Sequence, residues 1–260
     1  MKWTSSKLKN FIKSALQTKN RVTLQDGNIT KATNEVLTAI ANGIATVHGE
    51  WQDNAKINNI IVNGGTCTPL GPLALPATGI ALTGCIQLKI KAKQIESEIL
   101  SYFPGKNIVE LTGGLKSLAI AASSGFANTY NQWLDLLVIN NIIVSGGTCT
   151  CQSPPLSPIG TYSNGTGQLP ILEGNLSTKI QQKVLKQNIT LDLKSQVKLD
   201  ESGNITKHLQ QFVDAITQGI MDMYNQWLIG TQIQNIQVNG GVSVFAGPLS
   251  GAQGIQGELK

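Results

Sequence analysis

At 260 residues the chain is long enough for one large domain or several small ones. Apolar residues make up 41% and charged residues only 13%, about half the usual charged share, and the polar remainder of Asn, Gln, Thr, Ser and Gly costs less to desolvate in contacts than Lys or Glu. The net charge of +5 rests on lysine, with Arg21 the sole arginine; this argues against readers of phosphate and guanine, and no apolar run reaches the length of a membrane span.

The elements follow a frame counted from Trp51, Trp133 and Trp227, which divides the chain into expected units 1–83, 84–172 and 173–260. The opening Met1-Lys2-Trp3-Thr4 lacks the apolar core of a secretion signal. Each unit then starts with a short amphipathic helix, carried by Leu8, Phe11, Ile12, Ala15 and Leu16, by Ile95, Ile99 and Leu100, and by Ile180, Val184 and Leu185. Ser6 and Ser177 are expected as N-caps. Lysines on these helices (Lys7, Lys9, Lys13; Lys89, Lys91, Lys93; Lys179, Lys183, Lys186) read as a solvated face. A connector follows. In the third unit its alternating Ile189, Leu191, Leu193, Val197 and Leu199 predict a hairpin turning at Asp200-Glu201-Ser202-Gly203.

A long helix comes next, with Thr30, Thr112 and Thr206 as caps and apolar steps of three and four residues leading to the Trp. Gly43, Gly125 and Gly219 fall mid-helix, where glycine costs on the order of 1 kcal/mol relative to Ala. Three such costs predict close approach by a helix of a neighbouring unit. Each Trp is expected to plug the junction of helix and sheet. Asn59, Asn141 and Asn235 are expected in the left-handed conformation that stops a helix. The period then changes to two: Ile236, Val238, Val242 and Val244 alternate with Gln237, Asn239, Ser243 and Phe245. The pairs opened by Gly64, Gly146 and Gly240 read as bulges or as places of close backbone approach. Each unit ends in a Gly/Pro-rich extended tail marked by Pro72, Pro154 or Pro248. The fold class predicted is therefore α+β: three tandem repeats, each a short helix, a long helix ending in Trp, and a strand or hairpin with an extended tail.

Reactive groups are scattered across these elements. His48 and His208 occupy unmatched positions and read as helix-surface residues. The chain lacks triad spacing, phosphate-loop glycines and metal-ligand clusters, so no catalytic residue, cofactor or metal is assigned. Cys67, Cys85, Cys149 and Cys151 read as free, partly buried thiols; a Cys67–Cys85 bridge is the alternative. Sequons at Asn28, Asn164, Asn175, Asn188 and Asn204 follow from an Asn/Thr-rich composition.

The run Ile142-Ile143-Val144-Ser145-Gly146-Gly147-Thr148 with Asn164-Gly165-Thr166-Gly167, and the stretch from Val238 to Gly254, resemble the second halves of small virion structural proteins of tailed bacteriophages. The resemblance implies a non-enzymatic part of a tail, baseplate, neck or capsid accessory assembly, located in the virion. It would assemble through strand edges, helices and Gly/Pro tails with other virion proteins or further copies of itself as a homo-oligomer. No small-molecule substrate, membrane or nucleic acid is expected as partner. The alternative is an extracellular adhesin or carbohydrate-binding repeat protein, which an exposed Trp among polar neighbours would favour.

Overall fold

The computed structural model describes residues 1–19, 24–25, 28–29, 31–68, 71–102, 114–150, 159–244 and 247–260. Among them the chain runs α1 (Ser5–Lys19), β1 (Leu24–Gln25), β2 (Asn28–Ile29), α2 (Lys31–Asn54), β3 (Lys56–Ile57), β4 (Ile60–Gly64), β5 (Gly71–Ala81), α3 (Ala92–Ser101) and α4 (Leu115–Leu136). It continues with β6 (Ile139–Thr150), β7 (Ile159–Leu169), a 3-10 turn at Glu173–Asn175, α5 (Gln182–Lys194), α6 (Lys207–Gly230), β8 (Ile233–Val244) and β9 (Leu249–Leu259). The class is α+β: six helices with an antiparallel six-stranded barrel.

The barrel was not legible as such. β4 pairs with β5, β5 with β6, β6 with β7, β7 with β8, β8 with β9, and β9 returns to β4. The expected extended tails are thus strands β5, β7 and β9. Pro72 is the second residue of β5 and Pro248 directly precedes β9, while Pro154 lies outside the described residues. Six strands enclose a narrow interior, so bulky side chains must meet small ones. Ile60, Ile142, Ile236, Val62, Val144 and Val238 are all buried, and glycines of the return strands face them. A Cβ at Gly79 would stand 3.2 Å from Ile142 and Val62, one at Gly167 3.1 Å from Val144, and one at Gly254 2.6 Å from Ile60. Among the described residues each barrel strand is hydrogen-bonded on both sides, which leaves no long edge for strand addition.

The Gly pairs are bulges. Both members have positive φ in all three places, and the second is hemmed in by backbone: a Cβ would lie 2.6 Å from Leu75 O at Gly65, 2.7 Å from Gly165 N at Gly147 and 2.7 Å from Ala252 N at Gly241. An inserted residue shifts the two-residue alternation by one. Val242 is consequently exposed and Ser243 buried, the reverse of the expected phase. Asn59, Asn141 and Asn235 have φ of 53°, 57° and 58°. They are left-handed as expected, but they do not stop the helices, which end earlier at Asn54, Leu136 and Gly230.

The mid-helix glycines are contact points between helices. A Cβ at Gly43 would lie 2.8 Å from Ile95 O of α3, one at Gly125 2.7 Å from Ile189 N of α5, and one at Gly219 2.7 Å from Ile12 N of α1. Each short helix therefore lies across a long helix at its glycine, and α1 meets the last long helix of the chain. The apolar stripes of all six helices and the barrel interior belong to one buried cluster.

Local details differ from expectation. Thr206 caps α6 by accepting from Leu209 N at 3.4 Å. Thr30 and Thr112 lie outside the described residues; α4 starts at Leu115 with Gly114, φ 88°, in the cap position. Ser6 is inside α1, and Ser177 Oγ accepts from Val138 N instead of capping α5. The third-unit hairpin is replaced by α5, which runs through Leu193 because Leu185, Ile189 and Leu193 make one buried face. Its turn survives: Asp200 Oδ1 accepts from Ser202 N and Asn204 N at 2.9 Å. Gly251 and Gly257 lie in β9 rather than a free glycine-rich end. Cys67 and Cys149 form a disulfide, against the expectation of free thiols, because their shared place two residues past the Gly pair points both into the barrel. Cys85 is free and buried, and burial pushes its thiol up to about 11. Cys151 lies outside the described residues.

Candidate functional site: a sealed ring of aromatic side chains

The three frame tryptophans sit in the last turns of α2, α4 and α6 and are buried, as junction plugs should be. The residue three positions before each Trp faces the same centre: His48, Tyr130 and Tyr224. The six rings close a cycle. Centroids are 5.0 Å apart for Trp51 and Tyr130, 5.0 Å for Tyr130 and Trp133, and 5.6 Å for Trp133 and Tyr224. The cycle returns through Tyr224 and Trp227 at 6.0 Å, Trp227 and His48 at 5.2 Å, and His48 and Trp51 at 5.3 Å. Most contacts are edge-to-face, the favoured arrangement for ring quadrupoles.

His48 was expected on a helix surface and is instead fully buried. Its Nε2 shares a 3.0 Å hydrogen bond with the Tyr130 hydroxyl, and Trp3 stacks on it at 4.2 Å. Its Nδ1 has no protein partner among the described residues. Burial pulls the imidazole down to about 3, so it is neutral at physiological pH. Burial likewise holds the Tyr130 hydroxyl well above its ordinary range and raises that of Tyr224. A base without a route to solvent and two phenols kept protonated form a packing centre with no exposed reactive face.

The indole N–H groups are tied to the chain segments that lead into the short helices. Trp51 Nε1 donates to Leu88 O and Trp133 Nε1 to Thr178 O, both at 2.9 Å. Trp227 Nε1 instead donates to Gln52 Oε1 at 2.9 Å. Outside Trp51 and Trp133 lie two shallow clefts of about 210 and 200 Å³, lined at matching frame positions by Glu50 and Gln132 and by Asn54 and Leu136, with Lys89 and Lys179 each following the residue that accepts from the indole. At Gly230, the matching place beside Trp227, Met1 fills the space: its amino group donates to Gly230 O at 3.0 Å, and a Cβ on Gly230 would stand 2.9 Å from Met1 Cβ.

No family model, curated protein or solved structure matches this chain. His208, the other histidine, is exposed near the start of α6 and stacks edge-on to Phe212 at 5.0 Å; it has no connection to the ring. Among the described residues, no group of three His, Cys, Asp or Glu side chains is placed to hold a metal, and no helix is long and apolar enough to cross a membrane. The frame positions Gly43, Gly125, Gly219, Trp51, Trp133, Trp227, Gly64, Gly146 and Gly240 all serve packing or turn geometry. What sequence reasoning missed was the position three before Trp51, Trp133 and Trp227, where an aromatic or imidazole ring stands each time.

Proposed function

We propose that this protein is a non-enzymatic structural component of a bacteriophage virion, of tail, baseplate, neck or capsid accessory type, built from three tandem copies of one unit folded as a single-chain trimer. The observation that carries the reading is the six-ring cycle, in which each unit contributes one Trp and one ring three residues earlier. Three further matches support it: the glycine crossings, the paired bulges, and the alternation of Ile/Val strands with glycine-bearing return strands. A rotation by one unit would exchange these features. In such an assembly the closed barrel and helices act as a rigid block, and contacts with other virion proteins or further copies fall on exposed surface rather than on strand edges.

The disulfide agrees with a place exposed to an oxidising medium, as on the outside of a particle. The adhesin alternative would call for an exposed Trp among polar neighbours, whereas all four tryptophans are buried. The test is direct: density-purified particles from the source culture are analysed by mass spectrometry and cryo-electron microscopy. The chain is expected at fixed stoichiometry, with density for six helices and a six-stranded barrel. Its absence from purified particles would refute the assignment.

A further inference from the structure

We propose that the seam between β4 and β9 is a binding site for a neutral saccharide unit. A cleft of about 490 Å³ opens there, within the range of small-molecule sites. Its polar groups are the carboxamides of Asn58, Asn59 and Gln253 and the hydroxyl of Thr83; Ile61 and Leu82 supply an aliphatic side. No ionisable side chain lines it, so the site offers no means of selecting a charged ligand. Carboxamides and hydroxyls each donate and accept, which matches the sugar hydroxyl, itself both donor and acceptor. The aliphatic pair suits the C–H face of a pyranose ring.

The groups are placed by backbone and remain open for a ligand. Asn58 N donates to Cys85 O at 2.8 Å, which fixes the residue while its side chain makes no hydrogen bond among the described residues. Asn59 Nδ2 donates to Gly84 O at 3.4 Å, leaving its oxygen as acceptor. Gln253 stands beside Ile61 in register and is exposed, as is Thr83.

Two corresponding seams of the barrel show what is particular here. Between β5 and β6 the matching outward pair is Ile143 and Thr78, and exposed Ile171 stands where Thr83 does. Between β7 and β8 it is Gln237 and Thr166, and the Asn235 amide is held by Glu258 at 2.9 Å beside Lys56 and Lys260. Among the three, the β4–β9 seam alone sets a third carboxamide, Gln253, opposite its outward residue, where the other two have Thr78 and Thr166, and it carries Thr83 where the β5–β6 seam has Ile171. Such a departure is the kind of place where a repeated scaffold would carry recognition.

The experiment is saturation-transfer NMR on the full chain with glucose, galactose, mannose, N-acetylglucosamine and maltotriose. Glucuronate and glucose 6-phosphate serve as charged comparisons. Without an aromatic platform, the expected result is saturable binding of at least one neutral sugar in the millimolar range, with the charged sugars no better. Asn58→Ala and Gln253→Ala should each weaken it fivefold or more at unchanged melting temperature. Thr83→Val, a surface change, provides a third variant should either of the others unfold. Absence of transfer to every neutral sugar, or binding that survives all folded variants, overturns the proposal. Neither outcome depends on finding the chain in particles, so this site and the virion assignment fail separately.

Discussion

Acid should loosen this fold through one side chain. His48 is sealed among Trp3, Trp51, Tyr130 and Trp227, and its imidazole is held down to about 3 from an ordinary 6.5. The unfolded chain takes up a proton at this residue below pH 6.5, whereas the folded chain does not until about pH 3. The group's contribution is therefore complete above pH 6.5 and declines as pH falls, by about 1.4 kcal/mol per unit within that window. Over the whole interval the loss approaches about 5 kcal/mol, and at pH 4.5 it is about 3 kcal/mol. The assay is urea unfolding at pH 7.5 and pH 4.5 for the natural chain and for His48→Gln, which keeps a polar side chain but cannot titrate. Carboxylates affect both proteins alike, so their difference isolates His48. The natural chain should lose about 2–3 kcal/mol more than the variant between the two pH values. Parallel losses would refute the reasoning and would mean that the imidazole reaches solvent in the folded state.

Gly125→Ala should destabilise the protein although alanine is the better helix former. The gain of roughly 1 kcal/mol in propensity is smaller than the strain of pressing a Cβ to 2.7 Å from Ile189 N and 2.8 Å from its Cα, for which a net loss of about 1–3 kcal/mol is expected in chemical denaturation. By contrast, Gly49→Ala, with nothing within 4 Å of the added carbon, should be stabilising, and a reversed order of the two would contradict the helix crossing. Reduction of Cys67–Cys149, which closes a separation of 82 residues, should lower stability by about 2–5 kcal/mol; Cys67→Ala/Cys149→Ala should make the melting curve insensitive to reductant. Glu258 is held down to about 2, first by its hydrogen bond from Lys56, then by Asn235 and Lys260. Its carboxyl resonance should titrate at higher pH in Lys56→Met, and an unchanged titration would show that the Lys56 bond does not form in solution.

Much of the helical layer was readable because its causes are local. Apolar steps of three and four residues place Leu209, Phe212, Val213, Ile216 and Ile220 on one face, and all are buried. A glycine kept at mid-helix in each unit implied a close neighbour, and an isoleucine-bearing helix lies across each one. The barrel was not readable, because closure depends on pairings such as Ile60 with Gly254, far apart along the chain, which no period records. The bulges were recognised, but their effect on phase was not carried forward: past Gly240-Gly241 the inward residue is Ser243, not Val242. For the ring, the signal was present in the residue three before each Trp. His48 broke the Tyr pattern enough to be read as a surface residue, although an imidazole can fill an aromatic position when it is neutral and bonded to a phenol.

On the proposed reading of three fused units, the places where the units differ show what a single chain makes possible. At the barrel position two residues past the Gly pair, the units carry Cys67, Cys149 and Ser243, all buried. Ser243 Oγ and Cys67 N both donate to Gly247 O, at 2.8 and 3.0 Å, so the serine shares the neighbourhood of the bridge. Three identical subunits could place only identical residues there: three thiols would leave one unpaired, and three serines would forgo the cross-link. A single chain can set two cysteines and one serine around the same centre, joining two strands covalently and leaving a hydroxyl that finds a carbonyl. The same freedom operates in the aromatic ring, where one imidazole among two phenols introduces an acid-sensitive point that a strictly symmetric trimer would have to carry three times.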